Sequence, residues 1–403
     1  MDEPWKTNSF FARVLQSVEN GQQEVEVIRF QVSSVVPAGS NYCSLLHRVR
    51  VDYNLARGGI AKSTSLIVKT PLASGEMKHF LEKTGVYRVE CEVYNEILPR
   101  MFKIKDLNCT AKSYFCPIEK SLVLEDLKLS GFKMVDRLKQ LDFPHCRLVL
   151  ERLGQLHALS VAVHRKDPEL LPGTGVHLMY NDKASEPDKK QLRNIIGAMI
   201  TALVGEIEEV EGCSKYADAI RDGIDSHWDK ALKFLRSNGD DFCVFNLGDL
   251  WTNNMMFKYN ENGEVVDVKF IDFQNALFST FAVDLNYFWW SSANEGVREN
   301  HREELFEVYR RSLNKTLDDI GCSEHLTKEG FDRQMKSSGP YVVYILSGVL
   351  PVAMAQPDDY VDHSDINPDE FVENPRRNNL QSKYFKAVIA KTLQQIDKFG
   401  LLD

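Results

Sequence analysis

Absences narrow this 403-residue sequence before any motif does. Eight cysteines, at 43, 91, 109, 116, 146, 213, 243 and 322, form no Cys-x-x-Cys pair. Scattered single thiols are the usage of a reducing compartment, where they serve as small core residues, so a cytoplasmic location is expected. No stretch reaches the roughly 18 apolar residues of a membrane span. The nearest, Tyr341 to Met354, is broken by Gly348 and Pro351. The first residues, Met1-Asp2-Glu3-Pro4-Trp5-Lys6, are acidic and lack an apolar run of signal length. Basic excess is also missing: 49 Lys and Arg stand against 58 Asp and Glu, a formal charge of −9. That balance argues against a nucleic-acid partner. There is no internal repeat and no low-complexity tract.

What is present is ordinary for a globular chain: 43% apolar and 27% charged residues. The length exceeds one ordinary core, so two lobes are expected.

The informative stretch runs from Val244 to Gln274. It reads as a strand end at Val244 and Phe245, a loop carrying Asp249 and Asn254, and a β-hairpin turning at Asn260-Glu261-Asn262-Gly263. The returning strand, Glu264 to Ile271, delivers Asp272 back to that loop. Two carboxylates and an amide at strand ends make an all-oxygen site, which suits Mg²⁺ better than zinc or copper. Asp and Asn also populate ordinary turns. Their spacing, followed by a hydrophobic strand ending in Asp-Phe, is that of a phosphotransferase loop. There, one Asp accepts or orients the proton of the attacking hydroxyl, while the Asn and the second Asp hold metal on the ATP phosphates.

The segment Asn246-Leu247-Gly248-Asp249-Leu250-Trp251-Thr252-Asn253-Asn254-Met255-Met256-Phe257, followed by Ile271-Asp272-Phe273-Gln274, resembles the insect ecdysteroid-kinase-like family. That family is related to choline kinases and aminoglycoside phosphotransferases, and more distantly to protein kinases. The resemblance implies an α+β, two-lobed protein-kinase-like fold. An N-lobe of antiparallel sheet plus helix would span 1–127, and a mostly helical C-lobe 128–403. It also implies ATP and Mg²⁺ as cofactors, and a small lipophilic molecule whose hydroxyl accepts the γ-phosphate, such as an ecdysteroid or a hydroxylated xenobiotic.

The chain in order fits this expectation. Phe10, Phe11, Val14, Leu15 and Val18 mark a first helix, and strands are expected over Glu24–Val36, Tyr42–Tyr53 and Ser63–Thr70. The turn Gly39-Ser40-Asn41-Tyr42 reads alone as a hairpin; the resemblance places a nucleotide-covering loop there. Lys69 ends the apolar run Leu66-Ile67-Val68. A helix over about Gly85 to Leu98 puts Val89, Val93, Tyr94 and Ile97 within about 80° of one direction, with Glu90 on the same face and Glu92 on the other side. A carboxylate on a buried face needs a cationic partner. Lys69 is the candidate for Glu90, with Glu92 in reserve. In the kinase arrangement this lysine reaches the α and β phosphates, held by that glutamate. Ser121 to Leu124, ending in Glu125-Asp126-Leu127, is an ordinary strand and turn by pattern. The resemblance makes it the segment that joins the lobes, with Glu125 and Leu127 lending backbone to the adenine edge.

Helices follow, marked by Leu148 to Val163 with His157, by Leu192 to Leu203 and by Ile220 to Leu235. His157 on such a face is a core or supporting residue rather than a catalyst. Asp284, opening another helix, is expected to tie a helix start to the catalytic loop rather than to bind metal. The acidic segment 357–374 lacks the glycine and spacing of a calcium loop.

One position departs from the family. Relatives carry a histidine two residues before the catalytic aspartate, and this chain has Leu247, which can only pack. That puts loop precision in question and leaves room for a catalytically weak nucleotide binder. A choline or ethanolamine kinase is the other rival. It would need an aromatic and acidic cage, for which Trp289, Trp290 and Tyr360 are the available residues. A protein kinase is disfavoured because no Ala-Pro-Glu segment follows Asp272.

Overall fold

The computed structural model describes residues 3–18, 24–35, 43–55, 59, 61–236, 239–356 and 379–402. Gly39, Ser40, Asn41, Tyr360 and the whole acidic segment 357–374 lie outside the described residues.

An N-terminal helix, α1 (Asn8–Val18), buries Phe10, Phe11, Val14 and Leu15, the face its spacing predicts. Five strands then form one antiparallel sheet: β1 (Val25–Ser34), β2 (Ser44–Leu55), β3 (Ala61–Pro71), β4 (Ser113–Tyr114) and β5 (Leu122–Glu125), in the order β1-β2-β3-β5-β4. Strand alternation decides what each face meets. Val49, Val51, Leu66, Val68 and Val123 join the α1 side chains and Trp5 in one small core. The next residue on β3, Lys69, therefore points the other way, paired in register with Leu46 and Leu122.

Between β3 and β4 the chain forms α2 (Glu76–Thr84) and then α3 (Val86–Glu92). Sequence periodicity locates the second but not the first. Gly85 separates them with φ of 77°, a left-handed conformation that costs glycine nothing. The helix also runs on beyond the expected end at Leu98, through a π-helical turn (Val93–Ile97) into α4 (Leu98–Ile104). After β5, Asp126 is 3% exposed and accepts hydrogen bonds from Arg48 Nε (2.7 Å) and Ser65 Oγ (2.7 Å), stapling the connecting segment to β2 and β3.

The remainder is mostly helical. It contains α5 (Phe143–Lys166), α6 (Leu170–Thr174), α7 (Glu186–Glu208) and α8 (Ser214–Leu235). Then β6 (Cys243–Asn246) leads into the hairpin β7 (Met255–Tyr259) and β8 (Val265–Phe270), and β9 (Leu277–Thr280) pairs antiparallel with β6. α9 (Ala282–Ser292) follows and is buried along its whole length. The fold is thus α+β, an antiparallel N-terminal sheet followed by a mostly helical part. The larger core is continuous from α3, α4, Leu122 and Leu124 into the helical part. Among the described residues no helix is long and apolar enough to cross a membrane.

Candidate active site

The loop after β6 is fixed from beneath by α9. Asn246 Oδ1 accepts from the Asp284 N–H (3.1 Å), and its amide donates to the carbonyls of Val244, Ser279 and Thr280, each at 3.2 Å. The Asp284 carboxylate, fully buried, accepts from the N–H groups of Leu247 (2.7 Å) and Gly248 (2.9 Å). His157 Nε2 lies 3.2 Å from the same carboxylate, and His157 Nδ1 lies 2.8 Å from the Tyr309 hydroxyl. Asp284 does not cap its own helix, whose N-cap is Phe281. Its oxygens are spent on the neighbouring loop, where the buried N–H groups of Leu247 and Gly248 would otherwise have no partner. Gly248 has φ of 75°, and a Cβ there would come within 2.0 Å of the Asn275 carbonyl oxygen. Only glycine lets the Asp249 and Asp272 segments approach this closely.

That turn leaves Asp249 partly exposed. Its Oδ1 accepts a hydrogen bond from the Tyr287 hydroxyl (2.5 Å). Burial pushes its carboxyl up to about 7; the Tyr287 hydrogen bond opposes the rise, and the charge of Asp272 adds to it. A 3₁₀ turn (Thr252–Asn254) carries Asn254, whose Nδ2 donates to the Asp249 carbonyl (2.9 Å), leaving Oδ1 as an acceptor. The Asn254 carbonyl in turn accepts from the Ile271 N–H (3.0 Å), which seats Asp272 beside the loop.

Asp272 takes φ of 65°, unusual outside glycine and a form of stored strain met at functional sites. Its Oδ1 lies 3.0 Å from Lys69 Nζ, which also donates to Glu90 Oε1 at 2.7 Å. Lys69 and Glu90 are 6% and 4% exposed. Burial opposes the ammonium, but the charges of Asp272 and Glu90 outweigh it and hold its pKa above the ordinary lysine value. Burial raises the Glu90 carboxyl; Lys69 and an N–H from Phe273 oppose that rise. Phe273 is fully buried, its ring edge-on to Tyr94 at 5.4 Å.

Five of the residues read from the sequence, Lys69, Glu90, Asp249, Asn254 and Asp272, therefore meet at one place. Glu92 does not: it faces outward and pairs with Arg88 at 2.5 Å. Glu125 and Leu127 lie at the end of β5. The Glu125 N–H bonds the Lys112 carbonyl, and the Leu127 carbonyl accepts from the N–H groups of Ser130 and Phe132. Trp289 and Trp290 are buried inside the helical part, with Trp290 Nε1 bonded to Asn286, so neither is available to a ligand cage.

Two neighbours escape sequence reading. One is Tyr287, three residues beyond Asp284 on the same helix face, a spacing that could have flagged it. The other is Cys43. Its thiol is hydrogen-bonded to Gln274 and is pushed up to about 12 by burial, reinforced by the charges of Asp272 and Asp249. Cys43 also packs with Leu72, Phe80 and Leu178 against Leu81, Val86 and Tyr87, so a small apolar cluster adjoins this thiol.

Among the described residues no group of three or more His, Cys, Asp or Glu could hold a metal ion. The donors that remain are the oxygens of Asn254 and Asp272. One carboxylate plus one amide is a sparse protein set, and it fits Mg²⁺, which keeps waters and takes phosphate oxygens.

The chain aligns with a crystal structure of an aminoglycoside phosphotransferase from Alicyclobacillus acidocaldarius over 99% of its own length and 98% of the other. The identity is 9% and the TM-score 0.38, a superposition too loose to bear weight. No match is found among curated proteins. The family model for the ecdysteroid kinase-like family matches residues 38–322. Taken with the cleft of acids around Lys69, a match over well more than half its length places the chain in the ecdysteroid kinase-like family.

Proposed function

We propose that this chain transfers the γ-phosphate of ATP to a hydroxyl of a small lipophilic molecule. In this reading residues 1–127 form the nucleotide lobe and 128–403 the catalytic and acceptor lobe. One observation carries it: Lys69, shared by Glu90 and Asp272, stands beside an aspartate and an asparagine on a loop whose backbone is pinned by Asp284. Lys69 would bind the phosphates, with Glu90 keeping it extended and charged. Asp249 would orient the acceptor hydroxyl and take its proton. Asn254 and Asp272 would hold Mg²⁺, which neutralises phosphate charge when bound. Gly39, Ser40 and Asn41 would cover the phosphates, and Glu125 and Leu127 would border the adenine. Positioning and electrostatics supply most of the catalysis in such a transfer.

The apolar cluster of Cys43, Leu72, Phe80 and Leu178 supports a lipophilic acceptor over choline. The burial of Trp289 and Trp290 removes two of the aromatics a quaternary ammonium would need. The test is Mg²⁺-dependent transfer of labelled γ-phosphate into a panel of hydroxylated steroids, plant glycosides and choline, with Asp249→Ala and Asp272→Ala alongside. Label in a steroid or glycoside, lost in both variants, supports the reading. Label in choline alone replaces the acceptor class, and ATP binding with no transfer to any compound favours a silent nucleotide binder.

A further inference from the structure

The fully buried Leu247 side chain can donate no hydrogen bond to the loop it belongs to, so within that loop the only side chain seen to hold Asp249 is that of Asn254, and any further support comes from outside it. The fold offers one helix for the purpose. On α9, Asp284 and Tyr287 are one turn apart and so share a face. Asp284 takes the backbone N–H groups of residues 247 and 248, and Tyr287 takes the side chain of residue 249. The two contacts follow the loop in register, backbone first and carboxylate second.

We propose, resting on the kinase reading above, that Tyr287 is the positioning residue for Asp249. It holds Oδ1 through its hydroxyl and, with the Asn254 amide as the carboxylate's other neighbour, sets the orientation in which Oδ2 meets the acceptor. A carboxylate can only accept, so the phenol must donate and the direction of the bond is fixed. Burial, reinforced by the charge of Asp249, pushes the phenol well above the ordinary tyrosine range, so the proton stays on Tyr287. One carboxylate oxygen is then a handle and the other a base. In the transfer step the acceptor oxygen bonds to the γ-phosphorus and its proton passes to Asp249 Oδ2. The bond from phosphorus to the bridging oxygen breaks, and ADP leaves with that electron pair. Free rotation of the carboxylate would cost the alignment of the attacking oxygen, not the binding of ATP.

The test is Tyr287→Phe in the full chain, which keeps the ring and deletes one oxygen. In its crystal structure the Asp249 carboxylate should turn or divide between two rotamers while the 247–249 backbone stays on Asp284. A carboxylate that keeps its place overturns the inference. Where an acceptor has been found, kcat should fall about 10- to 100-fold with the KM for ATP within about twofold, since misplacement by about 1 Å costs roughly that much. An unchanged kcat, in an assay where Asp249→Ala is inactive, overturns it too. The carboxylate position is read without any acceptor, so the two readings fail separately: the kinase reading by absence of transfer in the wild type, this one by an unmoved Asp249.

Discussion

Two corners of the site surround a carboxyl with different neighbours. At Lys69 one ammonium is shared by two acids, Glu90 and Asp272, inside a nearly dry site. At Asp249 an acid has, among the described residues, no ion pair with a cation; its side-chain hydrogen bonds come from neutral groups, the phenol of Tyr287 and the amide of Asn254. The first corner, against burial, holds the Lys69 ammonium above its ordinary pKa by the charges of Asp272 and Glu90, while burial raises the Glu90 carboxyl beside it. The second lifts a carboxyl to about 7, where it can exchange a proton. Binding charge and moving a proton thus demand different surroundings, and the chain builds both within one cleft.

The comparison breaks most completely at the proton end. Asp249→Ala is expected to lower transfer by about 10²- to 10⁴-fold, the worth of a positioned base, with Mg·ATP affinity changed only a few-fold in a binding titration. At the charge end, Lys69→Ala strands Glu90 as a buried unpaired acid and should cost about 3–5 kcal/mol in denaturant unfolding. Adding Glu90→Gln should recover part of that loss, because a neutral amide needs no counter-charge.

A pH series separates the corners further. Asp249 must be ionised to take a proton, so the transfer rate should fall about tenfold per pH unit below roughly 7. Stability runs the other way for this group. A carboxyl raised in the folded state holds its proton more tightly there than in the unfolded chain. It therefore costs stability as pH rises from the ordinary aspartate value toward 7. Asp249→Asn, which mimics the protonated form, should stabilise the protein more at pH 8 than at pH 5, as read by thermal unfolding. The smallest effect is expected from Leu247→His. With Asp284 and Tyr287 bracing the loop, kcat should change less than about threefold; a large gain would mean that the α9 brace is insufficient.

The loop carrying Asp249 and Asn254 was legible because its signals are local. The hairpin turn, the five-residue step from Asp249 to Asn254 and the strand ending at Asp272 all lie within one short stretch. Glu90 was legible through helical periodicity, which separates a buried-face acid from the partly exposed Glu92. Asp284 was legible as a tie to the catalytic loop, although not as the cap of its own helix. Other features depend on folding. The α2 helix is short, and two of the residues in its packing cluster, Cys43 and Leu178, are remote in sequence. The π-helical turn beside Glu90 leaves no periodic mark, and Cys43 meets the two acids only across the cleft. Trp289 and Trp290 look like ligand-facing aromatics in sequence and prove to be core, because α9 is enclosed on all sides.

The division of the two cores has a consequence for motion. Lys69 rides on the sheet that α1 covers, whereas the helix bearing Glu90 is packed into the larger body. Their ion pair therefore lies where the sheet's second face, through Ile67, Leu122 and Leu124, packs on the larger body, and any movement that parts the sheet from that helix must stretch it. A spectroscopic distance probe across this ion pair would register each opening and closing as a change in one contact. The Asp284 and Tyr287 contacts, which lie wholly within the larger body, would stay silent.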